Sequence, residues 1–279
     1  MLSNDRIIEP PKKSIKINWQ ELWIYRDLFL VLAWRDISVR YKQTLLGALW
    51  AILQPVMTML VFTFIFNRMA GIESGDGTPY PIFLYTGLLL WQYFSATINN
   101  AAQSMVTNTS LIQKVYFPRL VIPATGATTA FVDLAVASAV LAAMMVYYGF
   151  VPQIIGVVIV PLLLLIATFS ALGVGLVLAS LNVKYRDVRY ALPFFVNIGL
   201  YMTPVIYPVS MLNKYPFVKT LFLWLNPMAS VINSARTGLL GRSPIEWDTL
   251  IISLFVSAIY FLFGLFYFKR TESYFADIA

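Results

Sequence analysis

Six apolar stretches divide this chain, and each ends at a cluster of charged residues, proline or polar residues. A bilayer core about 30 Å thick needs roughly 20 apolar residues in a helix. The stretches at about 47–66, 82–102, 121–147, 154–181, 191–207 and 250–268 meet that need. The first follows directly on a basic, polar segment and contains no charged residue, so the chain changes solvent abruptly there. The fifth is shorter and is expected to be broken by Pro193 and Pro204. The pattern predicts an all-α, polytopic membrane protein with six transmembrane helices.

Two further segments have a different pattern. In 19–33, Leu22, Trp23, Arg26, Phe29, Leu30 and Ala33 recur at helical spacing, which predicts an amphipathic helix lying in the inner membrane interface. As a seventh span it would be interrupted by Glu21, Arg26, Asp27 and Arg35. Between the fifth and sixth stretches, 208–249 is moderately apolar and holds Pro208, Pro216, Pro227 and Pro244. Broken helices at membrane depth need cover from protein or a cavity. The expectation is a pair of short re-entrant helices around an Asn226–Pro227 turn.

Composition supports the membrane reading. Hydrophobic residues make up 59% of the chain and charged residues 12%, against about 25% charged in soluble domains. With six spans and both termini cytoplasmic, fifteen Lys and Arg fall on the inner side and five on the outer. That bias fixes the expected orientation, and it accounts for the net charge of +7 without nucleic acid. A leader at 1–18, a membrane domain at 19–270 and a tail at 271–279 complete the expected plan. The leader has no apolar run, so the first span itself is expected to direct insertion.

Enzyme chemistry finds little to work with. Cysteine and histidine are absent, which removes thiolate sites and the commonest metal ligand and general base. No GxxxxGK[ST] phosphate loop is present, so ATP cannot be bound by that device. No paired carboxylates or hydrolase motif appears. Within the spans, Asp133 stands out, because an intramembrane acid is costly and marks a functional position by default. It could equally be satisfied by Thr128, Thr129 or another helix.

Aromatic residues mostly suit interfacial belts. Phe62, Trp91, Tyr93, Phe94, Phe194, Phe195 and Tyr201 fall deeper and could line a path for a glycan, since a ring face stacks on the apolar face of a sugar. The loop 107–122 predicts a short helix capped by Thr107, Thr109 or Ser110 and ended by Pro118. It would expose Lys114, Val115, Tyr116 and Phe117 to a protein partner or to headgroups. A further inner-side element, 182–189, joins the fourth and fifth spans.

Four ordered stretches carry a resemblance: RDISVRYKQTLLGALWAILQP at 35–55, LIQKVYFPRLVIP at 111–123, YRDVRYALPFFVNIGLYMTPVIYP at 185–208 and NPMASVINSAR at 226–236. Together, over about 19–270, they resemble the membrane subunit of ABC exporters for lipid-linked polysaccharides. The O-antigen exporter permeases are the group the chain most resembles, with capsule and wall teichoic acid permeases as relatives.

The resemblance implies a homodimeric channel in the bacterial inner membrane. Two copies of a separate ATPase would supply ATP and Mg, leaving no cofactor in this chain. The cargo would be an undecaprenyl-pyrophosphate-linked polysaccharide. It also implies that 19–33 is the interface helix. Leu111, Lys114, Val115, Tyr116, Phe117 and Arg119 would couple to the ATPase, and Asn226, Pro227 and Arg236 would belong to a periplasmic gate. Arg35, Arg40 and Lys42 would then be the inner-face cations that attract the carrier pyrophosphate. A motor-independent flippase would call for more intramembrane charge or an inverted repeat. A membrane enzyme would call for interfacial carboxylates or a base. The chain shows neither.

Overall fold

A computed structural model of the chain describes residues 19–42, 47, 49–185, 187–241 and 244–272. The leader at 1–18, most of the tail, Arg186 and Arg242 lie outside the described residues. Those described are mostly helical, with no strand among them. The helices are α1 (Trp19–Ile24), α2 (Arg26–Lys42), α3 (Leu49–Phe62), α4 (Tyr80–Thr107), α5 (Thr109–Lys114), α6 (Val121–Tyr148), α7 (Ile154–Val158), α8 (Val160–Lys184), α9 (Val188–Met202), α10 (Pro216–Leu225), α11 (Pro227–Leu240) and α12 (Trp247–Thr271).

Local chemistry sets many of these ends. Proline stands in the first turn of α4, α8, α10 and α11, where its missing N–H costs nothing. Gly149 and Gly241 end α6 and α11 in the left-handed region that favours glycine. α3 carries Pro55 and continues as a π-helix over Thr63–Met69.

Among the described residues, four helices are long and apolar enough to cross a membrane: Leu49–Met69, Val121–Tyr148, Ile154–Lys184 and Trp247–Thr271. The other two expected spans differ for separate reasons. α4 has 28 residues, ample length, but Gln92, Asn99, Asn100 and Gln103 dilute its apolarity. α9 has 15 residues, because the chain unwinds at Thr203–Pro204, whereas Pro193, in its second turn, leaves the helix unbroken, contrary to the expectation.

α4 is the hub of the bundle. α6, α8, α3, α9 and α11 all pack on it, and its residues dominate the main core. α8 and α12 cross at glycines, where a Cβ on Gly264 would stand 2.2 Å from the Gly173 carbonyl oxygen. Such contacts let membrane helices approach closely. A second core lies at the opposite end of α4, where Leu32, Met105, Phe117, Val121, Leu265 and Phe268 meet.

The N-terminal region departs from the flat amphipathic helix expected at 19–33. It breaks at Tyr25, and α2 runs on to Lys42. Leu22, Tyr25, Leu28, Phe29 and Leu32 face the second core, whereas Trp23 and Leu30 point away from the bundle. Farther along α2, Val31, Trp34 and Val39 are exposed while Asp36 and Tyr41 turn inward.

Candidate functional site

α2 climbs beside the first half of α6, and polar contacts mark each step. Arg35 donates to Asp36 at 2.7 Å and to the Asn108 side chain at 2.8 Å. Asp36 accepts from Thr125 at 3.2 Å. Arg40 pairs with Asp133 at 2.7 Å, and the Tyr41 hydroxyl donates to the same carboxylate. Asp133 is therefore satisfied from α2, and Thr128 instead donates to the Thr125 carbonyl. Removing one partner of a buried pair is costly. Here Arg40 stays half-exposed, so water shares the load. Lys42, one step beyond, is exposed.

This ladder borders an open cavity of about 470 Å³ between α3, α4 and α6. Trp50 and Gln54 line it from α3, and Gln92, Tyr93, Asn99 and Asn100 from α4. Arg40 and Asp133 form part of its wall. None of the four amides was singled out from the sequence. Gln92, Ser95, Asn99 and Gln103 nevertheless recur at helical spacing, a polar stripe that marks one face of α4.

The deep aromatics divide into two groups. Trp91 and Tyr93 are buried within the bundle: Trp91 packs against Gly199, and Tyr93 shares a hydrogen bond with Thr168. Phe94 is half-buried and contacts Trp91. Phe194, Phe195 and Tyr201 are exposed along α9. Phe62, half-buried, joins them through a 6.4 Å ring contact with Tyr201. Together with Trp50 and Leu60 of α3 and Phe64 of the π-helix that continues it, they leave an apolar, aromatic face with no cover from the described residues.

The loop after α4 folds differently from the expected helix. α5 ends at Lys114, and Val115 is extended. Neither Thr107, Thr109 nor Ser110 caps it. The capping position is Asn108, whose side chain binds Arg35 and the Ser104 carbonyl. Leu111 packs at the edge of the second core, and Phe117 is buried in it, only 4% exposed, contrary to the exposure expected. Tyr116 is 81% exposed, with Val115 and Lys114 beside it. Partial desolvation, then the Glu21 and Glu272 carboxylates, push the Tyr116 hydroxyl above the usual phenol range. It remains protonated and donates to Glu21. Arg119 donates to the Glu272 carbonyl at the end of α12.

At the other end of α4, the unwound segment after α9 is held carbonyl by carbonyl. Arg236 of α11, 4% exposed, donates to Phe83 at 3.0 Å, Pro204 at 2.7 Å and Val205 at 2.5 Å. Its guanidinium lies 3.5 Å from the centre of the Phe83 ring. Tyr80 donates to the Ile206 carbonyl at 2.7 Å. Asn226 caps α11 by accepting from Met228 and donates to Thr203 at 2.9 Å, with Pro227 following in the first turn. Of the three residues expected at a gate, Asn226 and Arg236 thus tie α11 to the break after α9.

The sequence pattern of ABC-2 type transporters matches residues 27–240. An O-antigen export system permease protein RfbA of Klebsiella pneumoniae is 29% identical over 95% of this chain and 99% of its own length. Its Myxococcus xanthus counterpart is 31% identical over 77% of this chain and 81% of its own. A capsule polysaccharide export inner-membrane protein, CtrC of Neisseria meningitidis, is 24% identical over 88% of this chain and 91% of its own. With four apolar helices of spanning length and a match over most of its residues, the chain is an integral membrane protein that belongs to the ABC-2 type transporter family.

Proposed function

We propose that this chain is the channel-forming subunit of an ATP-driven exporter of a lipid-linked polysaccharide of the O-antigen type. The observation that carries the reading is the nearly end-to-end likeness to O-antigen export permeases. Two copies would meet through the uncovered aromatic face of α3 and α9. Two copies of a separate ATPase, holding ATP and Mg, would dock at the opposite end of the bundle. The cargo would be undecaprenyl-pyrophosphate-linked, and the setting the bacterial inner membrane with both termini cytoplasmic.

In this arrangement α3, α4, α6, α7–α8, α9 and α12 make six crossings. α4 crosses despite its polar stripe because protein, not lipid, surrounds most of it. α10 and α11 form the re-entrant pair on the periplasmic side. The polysaccharide would pass along Phe62, Phe194, Phe195 and Tyr201, whereas Trp91 and Tyr93 support the wall from behind. Among the inner-face cations, Lys42 is placed to meet the carrier pyrophosphate first, since Arg35 and Arg40 already bind Asp36, Asn108 and Asp133.

The segment 111–119 supplies the coupling contact. Its exposed part is Lys114, Val115 and Tyr116, and its anchors are Leu111, Phe117 and Arg119. ATP-driven closure of the motor would move α5. The Asn108–Arg35 bond would pass that motion to α2 and onward to α6.

Deleting the chain should abolish surface O-antigen and leave lipid-linked glycan inside the cell. Retention of O-antigen with loss of capsule would favour a capsule exporter instead. Tyr116→Ala should lower glycan-stimulated ATPase activity with the folded amount unchanged. Wild-type activity and export in that variant would reject the coupling role.

A further inference from the structure

We propose that the cavity between α3, α4 and α6 is a saccharide-binding subsite of the exporter. The inference rests on the export reading above and adds to it a specific place of recognition.

Its chemistry is that of a site for neutral hydroxyls. The side-chain amides of Gln54 and Gln92 make no hydrogen bond among the described residues and face the cavity. Asn99 and Asn100 each donate one N–H, to the Ser95 and Gly126 carbonyls, which leaves a second N–H and the side-chain oxygen of each for a ligand. Amides offer donors and acceptors side by side, as a sugar hydroxyl requires. Trp50 supplies an aromatic wall for a pyranose face.

The charges point the same way. Arg40 and Asp133 neutralise each other at 2.7 Å. A free phosphate would have to compete with Asp133 for the guanidinium, whereas a hydroxyl can bond to either partner without separating them. No cluster of metal-binding side chains occurs among the described residues. A volume of about 470 Å³ falls within the roughly 300–1,000 Å³ of small-ligand sites.

The position suits an early stage of transport. α6 has 28 residues, about 42 Å of helix, and Asp133 lies about 18 Å from its start. The cavity is therefore near mid-depth, joined by α2 to the coupling segment. Glycan held there would be sensed by the same ladder of contacts that answers to the motor.

The natural lack of cysteine makes the test direct. Gln92→Cys is placed in the complete transporter in cells that make the glycan, and N-ethylmaleimide labelling is timed in their membranes. Labelling should slow at least threefold when the glycan is made, compared with cells blocked at the first sugar transfer. Val146→Cys, exposed and remote from the cavity, should label equally in both. Equal rates at Gln92→Cys would overturn the proposal. So would protection by inorganic pyrophosphate in glycan-free membranes, which would assign the cavity to the lipid headgroup.

Ala96→Phe, which fills the cavity, should cut export at least tenfold with normal protein amount and melting temperature. Normal export in that variant would also overturn the subsite, and if the variant fails to fold, the labelling decides alone. Export that survives deletion of the whole chain would instead defeat the exporter reading.

Discussion

Arg236 and Arg40 each place a guanidinium among apolar helices, and the fold accommodates them by different chemistry. Arg236 forms no ion pair with a carboxylate among the described residues. It is enclosed, and its donors satisfy the Phe83, Pro204 and Val205 carbonyls. Two of those oxygens belong to the break after α9 and would otherwise be buried without partners. Arg40 faces an open cavity and meets a carboxylate, Asp133, that also accepts from Tyr41. One cation closes an irregular piece of backbone. The other joins two elements through a contact that water can reach, and that contact can break and re-form at modest cost. The difference separates a fixed joint at the α11 end from a movable one at the α2 end.

The strongest test of that contrast is Arg236→Leu. It orphans the Pro204 and Val205 carbonyls, at about 1–3 kcal/mol for each buried group left without a partner, so little folded protein should be recovered from detergent. Arg236→Lys should also melt well below wild type, because a single ammonium cannot reproduce the planar fork. Gly87→Leu attacks the same joint from α4, since a Cβ there would stand 2.5 Å from the guanidinium. Its cost should not add fully to that of Arg236→Leu, the mark of a shared contact. An Arg236→Leu protein as stable as wild type would remove the distinction.

Asp133→Asn tests the movable joint. Its stability cost should be about 1 kcal/mol or less, as for a solvent-reached pair, while export falls strongly. The exchange Arg40→Asp with Asp133→Arg should restore part of that export. A melting-temperature loss as large as that of Arg236→Leu would make Arg40 a second fixed joint.

Lys42→Gln is the mildest case. The residue is exposed, so the melting temperature should stay unchanged. Export should fall roughly twofold at low salt and less at high salt, because a single exposed charge attracts through screened solvent. Normal export at low salt would remove Lys42 from the carrier's path.

Much of the plan is legible along the chain. The span of α3 follows from a charge-free run, and the break after α9 from Pro204. The turn into α11 follows from Asn226 and Pro227, a capping residue with proline behind it. α4 is harder, because its amides lower the apolarity that identifies a span. They are tolerated because they face protein and cavity, and hydropathy does not record what a residue faces. The loop at 111–117 shows the same limit. Lys114, Val115, Tyr116 and Phe117 read alike as exposed, yet Phe117 folds into the second core while Tyr116 stays outside.

Sequence decided which segments leave water, where helices start and stop, and that no phosphate loop resides in this chain. Each follows from transfer free energy or backbone geometry within a few residues. The partners of the costly groups could not be decided there. Asp133 meets Tyr41 from 92 positions away, and Arg236 meets Phe83 from 153. The direction of α2, inward with Asp36 and Tyr41 and outward with Trp34 and Val39, depends on those partners. A buried charge must find compensation somewhere, and packing selects where.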